Sequence, residues 1–88
     1  MSAQKKVSTA QRYTIELSPE YQQAIGDLIE ATGLRTQKDV FESSIAILTW
    51  AVREVARGRI ITSFDEKSKT YAELQMPALM TAAMRQAA

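Results

Sequence analysis

The 88-residue chain contains no cysteine and no histidine, and only 3 glycines and 2 prolines. Without cysteine it can form no disulfide bond, no thiolate nucleophile and no Cys-based zinc site. Without histidine it lacks the commonest general base and the commonest metal ligand. A chain this short buries only a modest part of its surface. Small scaffolds usually gain stability from disulfides, a structural metal or a partner subunit, and the partner is the support that remains. The chain is therefore either a lean monomer or, as we expect, an oligomer.

The polar residues also lack the groupings that catalysis needs. The glycines do not cluster into a phosphate-cradling loop. The acidic residues are spread singly apart from Asp65 and Glu66, and no histidine is present to activate a serine. We therefore predict that the protein is not an enzyme and uses no cofactor or metal.

No run approaches the roughly 20 apolar residues of a membrane span. The N-terminal lysines are not followed by the apolar stretch of a signal peptide. These features favour a cytoplasmic protein with no membrane partner.

Charge is nearly balanced overall but uneven along the chain. The 11 basic and 10 acidic residues give a net charge of +1. Lys5, Lys6 and Arg12 all precede the first acid, Glu16. Residues 1–11 are therefore predicted to be a flexible basic arm, which either meets an anion or serves only as a solubilising tail.

Residues 12–17 alternate strictly between polar and apolar side chains, which predicts a strand with one buried face. Ser18 and Pro19 then suit the cap and first position of a helix, and Gly33 suits its end. Thr36, with Asp39 three residues later, predicts a capping box at the start of a second helix that runs to Gly58. Apolar residues cover more than one stripe of this second helix, so it needs burial on several sides.

Two apolar runs, 60–64 and 70–74, surround a polar loop at 65–69 and predict a β-hairpin. Pro77 then opens a short helix. The predicted fold class is mainly α with short β, in the order β-α-α-β-β-α. The first strand either pairs with this hairpin or pairs antiparallel with the same strand of a second chain.

The sequence RYTIELSPE at 12–20, followed by ATGLRTQKDV at 31–40, resembles the ribbon-helix-helix DNA-binding domains of the MetJ/Arc type. The shared features are the alternating strand, the Ser-Pro-Glu helix start, and the Gly-Leu-x-Thr turn before a long helix. The resemblance implies an intertwined β-α-α homodimer over residues 12–58, to which residues 59–88 add the hairpin and a tail helix.

The resemblance also implies roles for individual residues. In that family the paired strands enter the major groove, and their outward residues read base edges. Arg12, Thr14 and Glu16 would hold those positions here, although Glu16 departs from the neutral or basic residue that is frequent in the family. The start of the second helix would hold a phosphate through Thr36, Gln37, Lys38 and the preceding Arg35, and Thr36 also suits a purely structural cap. Lys5 and Lys6 would add attraction that is independent of sequence. The implied dimer core consists of Tyr13, Ile15, Leu17, Ile25, Leu28, Val40, Phe41, Ile45, Leu48 and Val52.

The implied function is sequence-specific binding of double-stranded operator DNA as a transcriptional repressor, with dimers able to sit side by side on repeated half-sites. Two alternatives stay open. One is an antitoxin whose segment 59–88 binds a toxin or another protein. The other is a small dimeric adaptor without DNA affinity, whose three-stranded sheet forms within one chain.

Overall fold

The computed structural model describes residues 10–87 and contains three helices and one β-hairpin in this range. The elements are α1 (Pro19–Thr32), α2 (Gln37–Ala56), β1 (Thr62–Asp65), β2 (Thr70–Glu73) and α3 (Pro77–Ala87). The predicted arm at 1–11, with Lys5 and Lys6, lies almost entirely outside the described residues.

Helix α1 has the ends that its sequence predicts. The Ser18 hydroxyl accepts a hydrogen bond from the Tyr21 amide at 3.3 Å, and Pro19 occupies the first helical position. Gly33 ends the helix in the left-handed region at φ 75°, where its amide donates to the Ile29 carbonyl. Glycine suits this position because a Cβ atom makes the left-handed conformation costly.

Helix α2 begins with the predicted capping box of Thr36 and Asp39. At its other end, Arg57 is the C-cap and Gly58 adopts φ 81°. The Arg59 guanidinium then reaches back to the Glu54 carboxylate at 3.1 Å, which ties the chain leaving α2 to the last turn of that helix.

The predicted hairpin is present, but its strands are Thr62–Asp65 and Thr70–Glu73 instead of 60–64 and 70–74, and its loop is one residue shorter than expected. Asp65 pairs with Thr70 in the last position of the ladder, so the loop is 66–69 instead of 65–69. The Asp65 carboxylate accepts from the Lys67 amide at 3.0 Å, and Lys69 takes the left-handed conformation that closes the turn. The sheet in the described range has these two strands only.

The predicted first strand is not formed within one chain, and the observed order is α-α-β-β-α. Residues 10–18 belong to no helix or strand. A strand exists only through hydrogen bonds to a neighbour, and β1 and β2 pair with each other rather than with this segment. Of the two predicted pairings, the one with the hairpin is therefore wrong for the described residues.

The single chain has a small core. Helix α2 packs against both α1 and α3. The buried apolar residues are Ile25, Val40, Ala51 and Leu79. Many large apolar side chains of the described residues are exposed, among them Tyr13, Ile45 and Ile47. Much apolar surface is thus left for another molecule to cover. No helix within residues 10–87 has the length and apolarity to cross a membrane.

Candidate nucleic-acid interface

The N-terminal segment 10–17 lies beside the first half of α2, and the two enclose a groove of about 580 Å³. From the segment, Tyr13, Ile15 and Leu17 line it together with Gln11. From α2, the lining residues are Gln37, Lys38, Phe41, Glu42 and Ile45. The predicted inward residues of the segment and the predicted phosphate-binding end of α2 are therefore brought together.

The even-numbered residues of the segment lie on its other side. Arg12, Thr14 and Glu16 are exposed and are not among the residues that line the groove. Alternate residues of an extended chain point to opposite faces. The period-2 pattern of the sequence thus separates the residues that line the groove from those that do not, although Tyr13 and Ile15 are also exposed in the single chain.

Two hydrogen bonds fix the segment locally. The Tyr13 hydroxyl donates to Gln11 Oε1 at 2.9 Å. The Gln22 side-chain amide donates to the Leu17 carbonyl at 2.9 Å, which connects the end of the segment to the first turn of α1. The backbone of residues 12–16 is left available for pairing with another strand.

The N-terminus of α2 combines donors and charges of both signs. The Thr36 hydroxyl accepts from the Asp39 amide at 3.1 Å, and the Asp39 carboxylate accepts from the amides of Thr36 and Arg35 at 3.2 and 3.3 Å. Helix geometry leaves the amides of Gln37 and Lys38 without an intrahelical acceptor. These two amides, at the positive end of the helix dipole, can donate to an anion.

Lys38 does not stand alone at this end of the helix. Its ammonium lies 3.4 Å from the Glu42 carboxylate, one turn further along α2, and both side chains are exposed. An exposed pair of this kind is weak and is readily exchanged for another anion. Glu42 was not among the predicted site residues, although its i,i+4 spacing from Lys38 could have indicated the pair.

The predicted dimer-core residues differ in burial within the single chain. Ile25 and Val40 are buried, and Leu17, Phe41 and Val52 are half-buried. Val52 lies in a depression beside Ala78 and Ala82 of α3, so its own chain already covers part of it. The exposed members are Tyr13, Ile15, Leu28, Ile45 and Leu48.

A further exposed apolar pair was not predicted as part of a site. Ile47 and Trp50 are 64% and 49% exposed on α2. Ile47 lines a shallow apolar depression with Leu28 and Leu34, separate from the groove beside the N-terminal segment. The sequence could have indicated these two residues, because apolar side chains cover more than one stripe of α2.

Within residues 10–87, no three acidic side chains are grouped in a way that would hold a metal ion. A scan against protein-family models finds no match to the chain, and searches of curated proteins and of solved structures find none either.

Proposed function

We propose that the protein is a homodimeric, sequence-specific DNA-binding regulator that represses transcription in the cytoplasm by occupying an operator. The observation that carries this proposal is the groove between segment 10–17 and α2. Tyr13, Ile15 and Leu17 line it together with Gln37 and Lys38 at the start of α2, and Arg12, Thr14 and Glu16 are exposed outside the lining.

A second copy of the chain would complete this arrangement. Pairing of two copies of segment 12–17 about a two-fold axis satisfies the backbone groups that one chain leaves unpaired. It also places the exposed side chains of Tyr13, Ile15, Ile45 and Leu48, which are 79%, 58%, 66% and 41% exposed, in a shared core. Desolvation of such side chains is the main favourable term in association.

The outward side chains have the chemistry of base reading in a major groove. The Arg12 guanidinium can donate two hydrogen bonds to guanine O6 and N7. The Thr14 methyl group can pack on thymine, and the Glu16 carboxylate can accept from cytosine N4. A two-stranded ribbon would present each of these residues twice.

The start of α2 would position the ribbon on the DNA backbone. The amides of Gln37 and Lys38 would donate to one phosphate, with Arg35 and the Lys38 ammonium adding charge. Thr36 already acts as the cap, so its contribution would be to hold these amides in place. Lys5 and Lys6 would contribute salt-sensitive attraction.

The alternative functions receive less support. The adaptor was expected to form a three-stranded sheet in one chain, whereas the described residues form a two-stranded one. The antitoxin alternative requires that segment 59–88 bind a toxin. In the single chain this segment already forms a hairpin, and its helix α3 packs on α2. This favours a folded extension of the proposed regulator over a segment that folds only on a toxin.

Selection of bound duplexes from a random DNA pool, with the full chain, tests the proposal. We expect enrichment of a palindrome or of tandem repeats. The Arg12→Ala, Thr14→Ala double variant serves as the matched control. Its enriched sites should show a weaker base preference at the positions that these two residues contact. A pool without enrichment for the wild-type chain would contradict DNA reading and would favour the adaptor.

A further inference from the structure

The end of the molecule opposite to segment 10–17 carries a second apolar surface. A groove of about 310 Å³ lies between the base of the hairpin and α3, and Ile60, Leu74, Met76 and Met80 are among its lining residues. These four side chains are 67%, 45%, 38% and 60% exposed. Leu79, beside them, is buried and anchors α3.

An aromatic pair extends this surface along the hairpin. Phe64 and Tyr71 face each other across the two strands, with ring centroids 6.4 Å apart, and are 56% and 72% exposed. Glu73, two residues after Tyr71 and so on the same side of the strand, lines the groove. We call the surface formed by Ile60, Phe64, Tyr71, Met76 and Met80 the distal face.

The hairpin has little support from its own chain. All eight strand residues are exposed, and neither strand packs against a helix of the described range. A two-stranded hairpin alone is at best marginally stable in water, and both of its edges are free to pair. A molecule that covers the aromatic pair of Phe64 and Tyr71 would therefore also stabilise the hairpin.

We propose that the distal face binds the distal face of a second copy, so that two DNA-binding dimers join into a tetramer. This inference rests on the proposed function, which supplies the contact between the two chains of each dimer through segment 12–17. The groove at the distal face and the groove beside segment 10–17 share no lining residue, and both have exposed apolar side chains, so one chain can form both contacts.

Charge also fits a second copy better than a nucleic acid. Residues 59–87 contain four basic and three acidic side chains, so this end of the molecule is nearly neutral. At the hairpin tip Asp65 and Glu66 precede Lys67 and Lys69. A two-fold contact can set the acidic part of one tip against the basic part of the other, as an isologous interface requires.

The position of the distal face gives the tetramer a specific capability. The 20 residues of α2 span about 30 Å. Segment 10–17 lies at one end of this helix and the distal face at the other. Two dimers joined at their distal faces would direct their DNA-reading ribbons away from each other and could hold two duplex segments at once.

Sedimentation of the full chain without DNA tests the contact. We expect tetramers for the wild type and dimers for the Phe64→Ser, Tyr71→Ser double variant, with an increase of about tenfold or more in the dissociation constant of the tetramer. Tyr21→Ser, which removes an aromatic ring that is 66% exposed on α1, is the control and should leave the tetramer unchanged.

Further variants separate this contact from the ribbon. Met80→Gln alters α3 and leaves the hairpin sequence intact, so it should weaken the tetramer even if the double variant loses its hairpin. If the wild type is a dimer, the oligomeric state of the Phe64→Ser, Tyr71→Ser double variant shows which contact forms that dimer. Conversion to monomers would support the distal contact and contradict the ribbon dimer. Persistence of dimers would overturn the distal contact and leave that face to a different protein.

Bridging of DNA gives a second readout. Two short duplexes with different fluorophores, each carrying the selected site, should show energy transfer in the presence of the wild type. The double variant should bind each duplex with unchanged affinity and show no transfer. Equal transfer with the double variant would contradict the proposal.

Discussion

Thr36 and Asp39 cap the start of α2 reciprocally. The hydroxyl of Thr36 accepts from the amide of Asp39 at 3.1 Å, and the carboxylate of Asp39 accepts from the amide of Thr36 at 3.2 Å. The same two residues flank the amides proposed to bind a phosphate, so the stability of α2 and the proposed DNA contact depend on one helix end.

Thr36→Ala removes the capping hydroxyl and should lower the free energy of unfolding by about 1 kcal/mol. Thr36→Ser keeps a hydroxyl and should restore most of this loss. Urea denaturation at fixed protein concentration measures both. Equal stability of the alanine variant and the wild type would show that the cap contributes nothing.

Two glycines provide a test of backbone conformation without steric interference. A Cβ atom added at Gly33 or Gly26 would meet nothing within 4 Å. Gly33 has φ 75°, so Gly33→Ala should destabilise the protein by roughly 1–2 kcal/mol. Gly26 lies inside α1, so Gly26→Ala should stabilise it by roughly 0.5–1 kcal/mol. Thermal unfolding should move in opposite directions for the two variants, and a shift in the same direction would contradict this assignment.

Arg12→Ala should weaken binding to the selected site by roughly 1–3 kcal/mol and relax preference at one base pair in each half-site. Arg85→Ala is the control because Arg85 lies on α3, away from the proposed interface. Fluorescence anisotropy with the selected duplex and with single-base variants measures both properties. Unchanged selectivity of Arg12→Ala would exclude the segment as the reader.

Lys38→Ala should weaken binding to all duplexes alike and reduce the salt slope by about one, because Lys38 is proposed to contact phosphate. Glu42→Gln removes the acidic partner that lies 3.4 Å from the Lys38 ammonium. It should strengthen binding to every duplex, most visibly at low salt. Titrations over a range of salt concentrations test both, and a loss confined to one sequence would contradict the phosphate role of Lys38.

Ile45 and Ile47 form a matched pair for the ribbon dimer. They are 66% and 64% exposed on the same helix, but only Ile45 lines the groove beside segment 10–17. Ile45→Lys should break the dimer that the ribbon forms, whereas Ile47→Lys should leave it intact. Light scattering at micromolar concentration measures the outcome. A stable wild-type monomer under these conditions would rule out the proposed dimer.

The sequence predicted the helices well because their ends depend on local chemistry. Ser18, Gly33 and the Thr36–Asp39 pair act through hydrogen bonds and backbone conformation within a few residues. The hairpin loop was predicted one residue too long because the pairing of Asp65 with Thr70 depends on register, which composition does not reveal.

The odd-numbered residues of segment 10–17 that line the groove could also be predicted to share one side, since period-2 alternation follows from the geometry of an extended chain. The position of α3 could not. Its packing against α2 covers part of Val52, a residue assigned from the sequence to the dimer core. The sequence indicated that α2 needs several neighbours. Which elements these are depends on the path of the chain through the hairpin, which brings α3 back against α2.

Helix α2 is the element through which the two ends of the molecule are connected. Among the described elements, α1 and α3 each pack on α2, while the strands pack only on each other. At the end of that helix Gly58 is left-handed, and Arg59 contacts Glu54 through both its amide and its guanidinium. Another C-terminal extension joined after Gly58 would therefore have to cover the part of α2, including Val52, against which α3 packs here. An extension that meets this condition could change the proposed assembly while Arg12, Thr14 and Glu16, the proposed base-reading residues, stay the same.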